Sequence, residues 1–331
     1  MLPAPRTRRA VLLAAFVSLL AGAAAAAEPL RLAGRAFDRR AEIEVRDLAP
    51  GAAQGAIEEA FRELERARAE LRGIEQTARP DAPLQLDARQ AELVRRALGI
   101  CYWSEGAVGP LGAEVYRIWG LRFPATSFPP PDEIERAVDS ARCERAALDV
   151  ASGVLRVAQA GRLDFFPFEI GWAVDRAAAS LRTAGASDFW IEVGGIARAA
   201  GPGSTGRGWS YELPPLAGQL EPQAPFLLLD RAVAVLRPGD RALRIAGETF
   251  APYLNLRRGR PGGAAISAVV VVSELAVDAQ AVGYSMFALG PRDGTMLLGA
   301  LPVRPSIRWF LGTGEGPPVL TDVNWGVVGR P

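Results

Sequence analysis

Any proton this protein moves must be moved by a carboxylate, a phenol or a thiol, because its 331 residues include no histidine. All 38 basic residues are arginine, which stays protonated and cannot serve as an ordinary base. Without imidazole there is no Ser-His-Asp triad and no usual zinc site. Without lysine there is no Walker lysine and no Schiff base. The lysine absence by itself fits the arginine bias of a GC-rich genome, so the missing histidine restricts the chemistry more.

The acids that stand out lie in LDFFPFEIGWAVDRAAASLRTAG, residues 163–185. There Asp164 and Glu169 interrupt an apolar run holding Phe166, Pro167 and Ile170, just before an alanine-rich amphipathic helix. Asp164 either does chemistry or holds a turn. Glu169 reads best as a capping acid, where the helix dipole favours negative charge. Asp278 and Glu274 would share a helical turn only if both were helical, and Glu274 reads as a strand end. VGGIARAAG at 193–201 lacks the G-x-G-x-x-G spacing, so Gly194-Gly195 reads as a tight turn and not a dinucleotide fingerprint. Cys101 and Cys143 are the two cysteines. Paired, they would close a loop of about 40 residues and stabilise by about 3 to 4 kcal/mol in the chain-entropy model. Unpaired, they would be two separate buried thiols, and spacing leaves both alternatives open.

The elements that must position these groups alternate without a sustained βαβ pattern, which reads as one α+β domain with no internal repeat. GRAFDRRAEIEVRDL reads as a strand pair with Ala41, Ile43 and Val45 on one face. Residues 53–76 place Ile57, Phe61, Leu64 and Leu71 on a helical face, with a Glu/Arg ladder opposite that reads as solvated. Asp87 is a plausible N-cap for the next helix, and another starts near Pro131. Short strands are expected at RAALDV, GVLRVAQ, 189–201, 226–236 and 241–245. AISAVVVVSELAV reads as a buried strand backed by the helix VDAQAVGYSMFALG, and PSIRWFLG and PVLTDVNW as closing strands.

Residues 1–27 carry Arg6, Arg8 and Arg9, an apolar stretch from Val11 to Leu20 and an A-x-A end, which is the pattern of an export signal. The Arg8-Arg9 pair leaves the twin-arginine and general export routes both open. Removing this segment leaves residues 28–331 with a formal charge of about −2, no footprint for nucleic acid. Nothing after it is long and apolar enough to cross a bilayer as a helix.

Five segments carry a further signal: VGPLGAEVYRIWG (108–120), LDFFPFEIGWAVDRA (163–177), IEVGGIARAAG (191–201), VLRPGD (235–240) followed by FAPYLNLRRGRP (250–261), and VVVVSELAVDAQAVGYSMFALG (269–290). Their order and spacing resemble the ApbE family, the FAD:protein FMN transferases, over about residues 30–312. The resemblance implies an ApbE-like α+β flavin transferase fold of mixed, mostly antiparallel sheets. It also implies a periplasmic, Mg²⁺-dependent enzyme that cleaves the FAD pyrophosphate and attaches FMN to Thr or Ser of a periplasmic or membrane flavoprotein. In such phosphoryl transfer a divalent ion neutralises phosphate oxygens while the protein aligns the attacking hydroxyl. Carried over residue by residue, the resemblance points Asp164, Gly171, Trp119, Gly120 and Leu254 toward FAD. The main-chain carbonyl of Pro167, with Gln280 and Tyr284, falls at the metal; no catalytic residue is assigned. For Trp119 and its glycine neighbours, a core and turn role competes with the cofactor role.

The departures cluster where the chemistry would sit. Phe166-Pro167 replaces a Gly-Gly pair, Ile170 replaces a polar flavin contact, Ala251, Pro252 and Asn255 replace His-His and Asp, and VLRPG replaces a hydroxyl-rich stretch. Gln280 and Tyr284 stand where the family has a metal-binding Asp and a Thr, and an amide and a phenol are poor ligands for a hard cation. The expectation is therefore a family member with impaired transfer that still binds a flavin or a flavoprotein partner. The alternatives are an active transferase with an atypical metal site and a periplasmic interaction module without flavin.

Overall fold

The computed structural model describes residues 28–80, 82–213, 223–263, 265–301, 304–312 and 318–328. The export-signal segment lies outside the described residues. In chain order the elements are β1 (Leu30–Ala36), β2 (Arg39–Val45), α1 (Pro50–Thr77), β3 (Leu84–Gln85), α2 (Ala88–Trp103), α3 (Ala113–Ile118) and α4 (Pro131–Ser140). Then follow β4 (Ala146–Asp149), β5 (Val154–Val157), α5 (Glu169–Thr183), β6 (Phe189–Val193), β7 (Ile196–Ala200), β8 (Trp209–Tyr211), β9 (Phe226–Leu228) and β10 (Ala232–Leu236). The chain closes with β11 (Leu243–Ile245), β12 (Glu248–Phe250), β13 (Leu254–Asn255), β14 (Arg260–Pro261), β15 (Ile266–Ser273), α6 (Ala276–Leu298), β16 (Ser306–Leu311) and β17 (Val319–Val323).

An eight-stranded antiparallel sheet in the order β1-β2-β6-β7-β10-β15-β16-β17 forms the spine. The expected first hairpin turns through Phe37 and Asp38, both at positive φ (54° and 60°), the backbone that matches the twist of a tight hairpin. Its Ala41, Ile43 and Val45 are fully buried. α1, α5 and α6 cover one face of the sheet, and their apolar stripes merge with it into the main core. On the other face a smaller core gathers Trp190, Trp209, Tyr211 and Phe226 under the β8–β9 hairpin, with Trp190 and Trp209 stacked at 6.0 Å. Burial of both faces explains why β7, β10 and β15 are apolar almost throughout.

α5 and α6 cross at backbone contact. A Cβ on Gly171 would lie 2.4 Å from the Ala276 carbonyl oxygen, so only glycine permits the approach. Four residues on, Asp175 accepts the Ala276 and Val277 N–H groups at 3.0 Å each and pairs with Arg198, capping α6 from a neighbouring helix. Asp87 caps α2 in a full capping box. Cys101 and Cys143 are joined in a disulfide, which settles the alternative the spacing left open.

Two expectations are corrected. The Glu/Arg ladder of α1 is not simply solvated: Glu63 is buried, and Arg176 of α5 reaches both Glu63 and Glu70. The helix expected to end at Gly290 kinks there, at φ 83° before Pro291, and resumes to Leu298.

Candidate functional site

Segment 163–171 crosses from β5 to α5 and is pinned from three sides. Its Asp164 N–H donates to the Pro110 carbonyl at 2.7 Å, and Asp164 bridges Leu111. The buried Asp164 carboxylate accepts both arms of Arg122, Nε at 2.8 Å, together with the Phe166 N–H at 2.9 Å. Glu75, on the last turn of α1, accepts the Phe165 N–H at 2.7 Å. From α6, Gln280 accepts the Gly171 N–H through Oε1 at 2.6 Å and donates through Nε2 to the Phe166 carbonyl at 3.3 Å.

The side chains of this segment meet an aromatic wall. The Phe166 ring packs edge-on against Tyr116 and Tyr284, at 5.7 and 5.5 Å between centroids. The guanidinium carbons of Arg122 and Arg241 lie 5.1 and 5.2 Å from the Phe166 centroid. Tyr284 packs against Tyr253, which stacks on Phe287 at 4.0 Å and donates its hydroxyl to the Arg237 carbonyl. Burial drives the Tyr284 phenol well above its ordinary range, so it is neutral.

Three carboxylates share one guanidinium here. Arg122 binds Asp164 directly, and Glu169 lies 3.7 Å away. Glu75 is pushed up to about 7, first by burial and then by the charge of Asp164, with the Phe165 N–H and Arg122 opposing. Burial also raises Glu169. A carboxylic acid with a pKa near neutrality is the one group here suited to giving or taking a proton.

The sequence-predicted residues separate into two groups. Asp164, Pro167, Gly171, Gln280 and Tyr284 belong to one neighbourhood, although the carbonyl that Gln280 reaches is that of Phe166, not Pro167. Trp119 and Gly120 have other described contacts: Trp119 is buried, donates Nε1 to the Gly259 carbonyl at 2.7 Å and packs edge-on against Phe128 and Phe250. Gly120 turns at φ 74°, where a Cβ would lie 2.7 Å from the Ala125 nitrogen. Leu254 is buried in β13, opposite Pro261. Asn255 is used up in a turn, donating to Ala288 and accepting from Arg258. Asp278 points away from the site and takes two bonds from Arg96 of α2. Glu169 is the first residue of α5, an acid in the first turn where the helix dipole favours negative charge, and its ionic neighbour is Arg122.

Glu75, Arg122, Arg241 and Tyr116 escaped the sequence reading. Glu75 alone left a signal there, since an acid four residues beyond Leu71 falls on the buried stripe of α1. Arg122, in a proline-rich loop, offered none.

The donor set does not fit a magnesium ion. A hard cation needs oxygen lone pairs, whereas the Gln280 NH₂ faces the Phe166 carbonyl and Tyr284 is a buried neutral phenol. Among the described residues, no group of three or more His, Cys, Asp or Glu could hold a metal ion. Toward FAD, Phe166 fills with a ring the place where the resemblance puts glycine. A cleft of about 690 Å³ between α1, α2 and α5 is lined by Trp172, Arg176, Ala179, Thr183 and Glu92 among others, and by none of the sequence-predicted residues.

The model of the ApbE family matches residues 37–304. The FAD:protein FMN transferase of Haemophilus influenzae is 22% identical over 231 residues, 67% of this chain and 66% of that protein. The FAD:protein FMN transferase of Treponema pallidum is 26% identical over 239 residues, 67% of this chain and 65% of that protein. The chain thus spans just under two thirds of the length of these curated relatives. Among solved structures, the ApbE protein of Thermotoga maritima superposes with a TM-score of 0.78 at 18% identity, covering 92% of this chain and 100% of that one. The apo flavinyl transferase ApbE of Pseudomonas stutzeri gives 0.76 at 18% identity, over 91% and 96%. At this identity the likeness shows the fold, which agrees with the α+β expectation.

Proposed function

The chain belongs to the ApbE family, and from that premise we propose that it is a member that no longer transfers FMN, acting as a flavin-binding accessory in flavoprotein maturation. The observation that carries this reading is that Gln280 accepts the Gly171 N–H and donates to the Phe166 carbonyl, which uses the α6 side chain for cross-linking. The filling of the same neighbourhood by Phe166, Tyr284 and Tyr253 supports it. The export pattern of residues 1–27 supports a periplasmic setting. Among the described residues no helix is long and apolar enough to cross a membrane.

The test incubates the mature protein with FAD, Mg²⁺ and a Thr-containing acceptor peptide. Retention of FAD through dialysis with no FMN release and no covalent label is the expected result. A label above the metal-free control would refute the reading. Failure to retain flavin would leave a flavin-free interaction module instead. One observation favours a second reading, an active transferase with an atypical site: Glu75, with its pKa near neutrality, lies next to the segment where transfer would occur.

A further inference from the structure

Gly171 is the third residue of α5, so its N–H is one of the four at a helix start that have no partner within the helix. Gln280, 2% exposed, supplies the partner from α6. Because an N–H can only donate, the Gln280 atom facing it must be the oxygen, which turns the NH₂ toward the Phe166 carbonyl. The amide therefore does two unlike things at once: it accepts from a helix N-terminus and presents a positive edge to a carbonyl oxygen. Two acids of the same helices are engaged elsewhere: Asp278 of α6 is held by Arg96, and Asp175 of α5 by the α6 N-terminus.

We infer that Gln280 stands in for a divalent cation: its NH₂ is the electrophile on the Phe166 carbonyl, and the locked α5–α6 junction takes no metal. This inference rests on the family reading of the site, but it concerns how the junction is held and not whether FMN moves.

The chemistry makes a sharp demand on the isosteric acid. Gln280→Glu keeps one oxygen for the Gly171 N–H and sets the second against the Phe166 carbonyl. Two oxygens at the 3.3 Å separation that Nε2 now spans repel unless a proton or a cation lies between them. The neutral acid restores a donor, and a divalent ion restores an electrophile.

The experiment follows thermal unfolding of the mature wild type, Gln280→Glu and Gln280→Ala, near pH 8 and pH 5, with and without millimolar Mg²⁺. Each variant is read against wild type under the same conditions. Wild type is expected to show no Mg²⁺-dependent shift. Gln280→Glu is expected to melt several degrees lower at pH 8 without metal and to recover on acidification, on Mg²⁺ addition, or both. Gln280→Ala is expected to melt lower under every condition, with no rescue. A Mg²⁺-dependent rise for wild type would overturn the inference, as would a Gln280→Glu variant as stable as wild type at pH 8 without metal. FMN transfer is measured separately, so an active protein with an unresponsive wild-type melt would refute the proposed function and leave this inference standing.

Discussion

Glutamine at position 75 should free the protein of a stability loss that the wild type suffers as pH rises. Glu75 accepts the Phe165 N–H and has Asp164, Glu169 and Arg122 as charged neighbours. Burial and the Asp164 charge lift its pKa from 4.5 to about 7. Between those values the folded protein holds a proton that the unfolded chain has released, so stability falls as pH rises through this window and levels off above it. A shift of that size corresponds to about 3 kcal/mol, since one pKa unit is about 1.4 kcal/mol. Glu75→Gln keeps an oxygen for the Phe165 N–H and cannot ionise. Urea unfolding of both proteins from pH 4.5 to 8, with the disulfide intact, isolates the effect. Glu169, which burial also raises, is present in both proteins, so its direct contribution largely cancels. The stability difference should be near zero at the acid end and favour the variant by about 3 kcal/mol at the alkaline end. A difference that stays flat across the range would refute the reasoning, because it would mean that Glu75 has the same affinity for protons folded and unfolded.

Three other outcomes are expected. Arg122→Met removes the guanidinium from the buried Asp164 carboxylate and should cost about 3 kcal/mol in urea unfolding, the range for stranding one partner of a buried pair. Gly171→Ala sets a Cβ against the Ala276 carbonyl and should destabilise by about 1 to 3 kcal/mol; an unchanged unfolding midpoint would show that the α5–α6 crossing yields freely. Replacing Cys101 and Cys143 together by serine opens a link spanning 42 residues, and the unfolding free energy should drop by about 3 to 4 kcal/mol.

Much of the scaffold was legible because its signals are local. Ala41, Ile43 and Val45 alternate along one strand, Ile57, Leu64 and Leu71 recur along one helix, and Asp87 stands at the start of another as its N-cap; each lies buried or capped as the pattern implies. The smaller core under β8–β9 was not legible, since apolar strands buried on both faces carry no alternation to show which neighbour covers which face. At the site, the resemblance drew attention to Asp164, Gly171, Gln280 and Tyr284, which do lie together, to Trp119, which packs edge-on and donates to the Gly259 carbonyl, and to Leu254, which is buried.

What the sequence determined by itself was the chemical repertoire and the order of the elements: no imidazole, no lysine amine, and five family-like segments in register with an α+β fold. Tertiary structure decided what each polar group does there. Gln280 meets Gly171 and Phe166 across more than a hundred residues of chain, Glu75 acquires its raised pKa from its own desolvation and the buried charge of Asp164, and Cys101 finds Cys143. Residue type and periodicity act over one or two turns of chain, whereas hydrogen-bond partners and desolvation are set by which distant segments the core brings into contact.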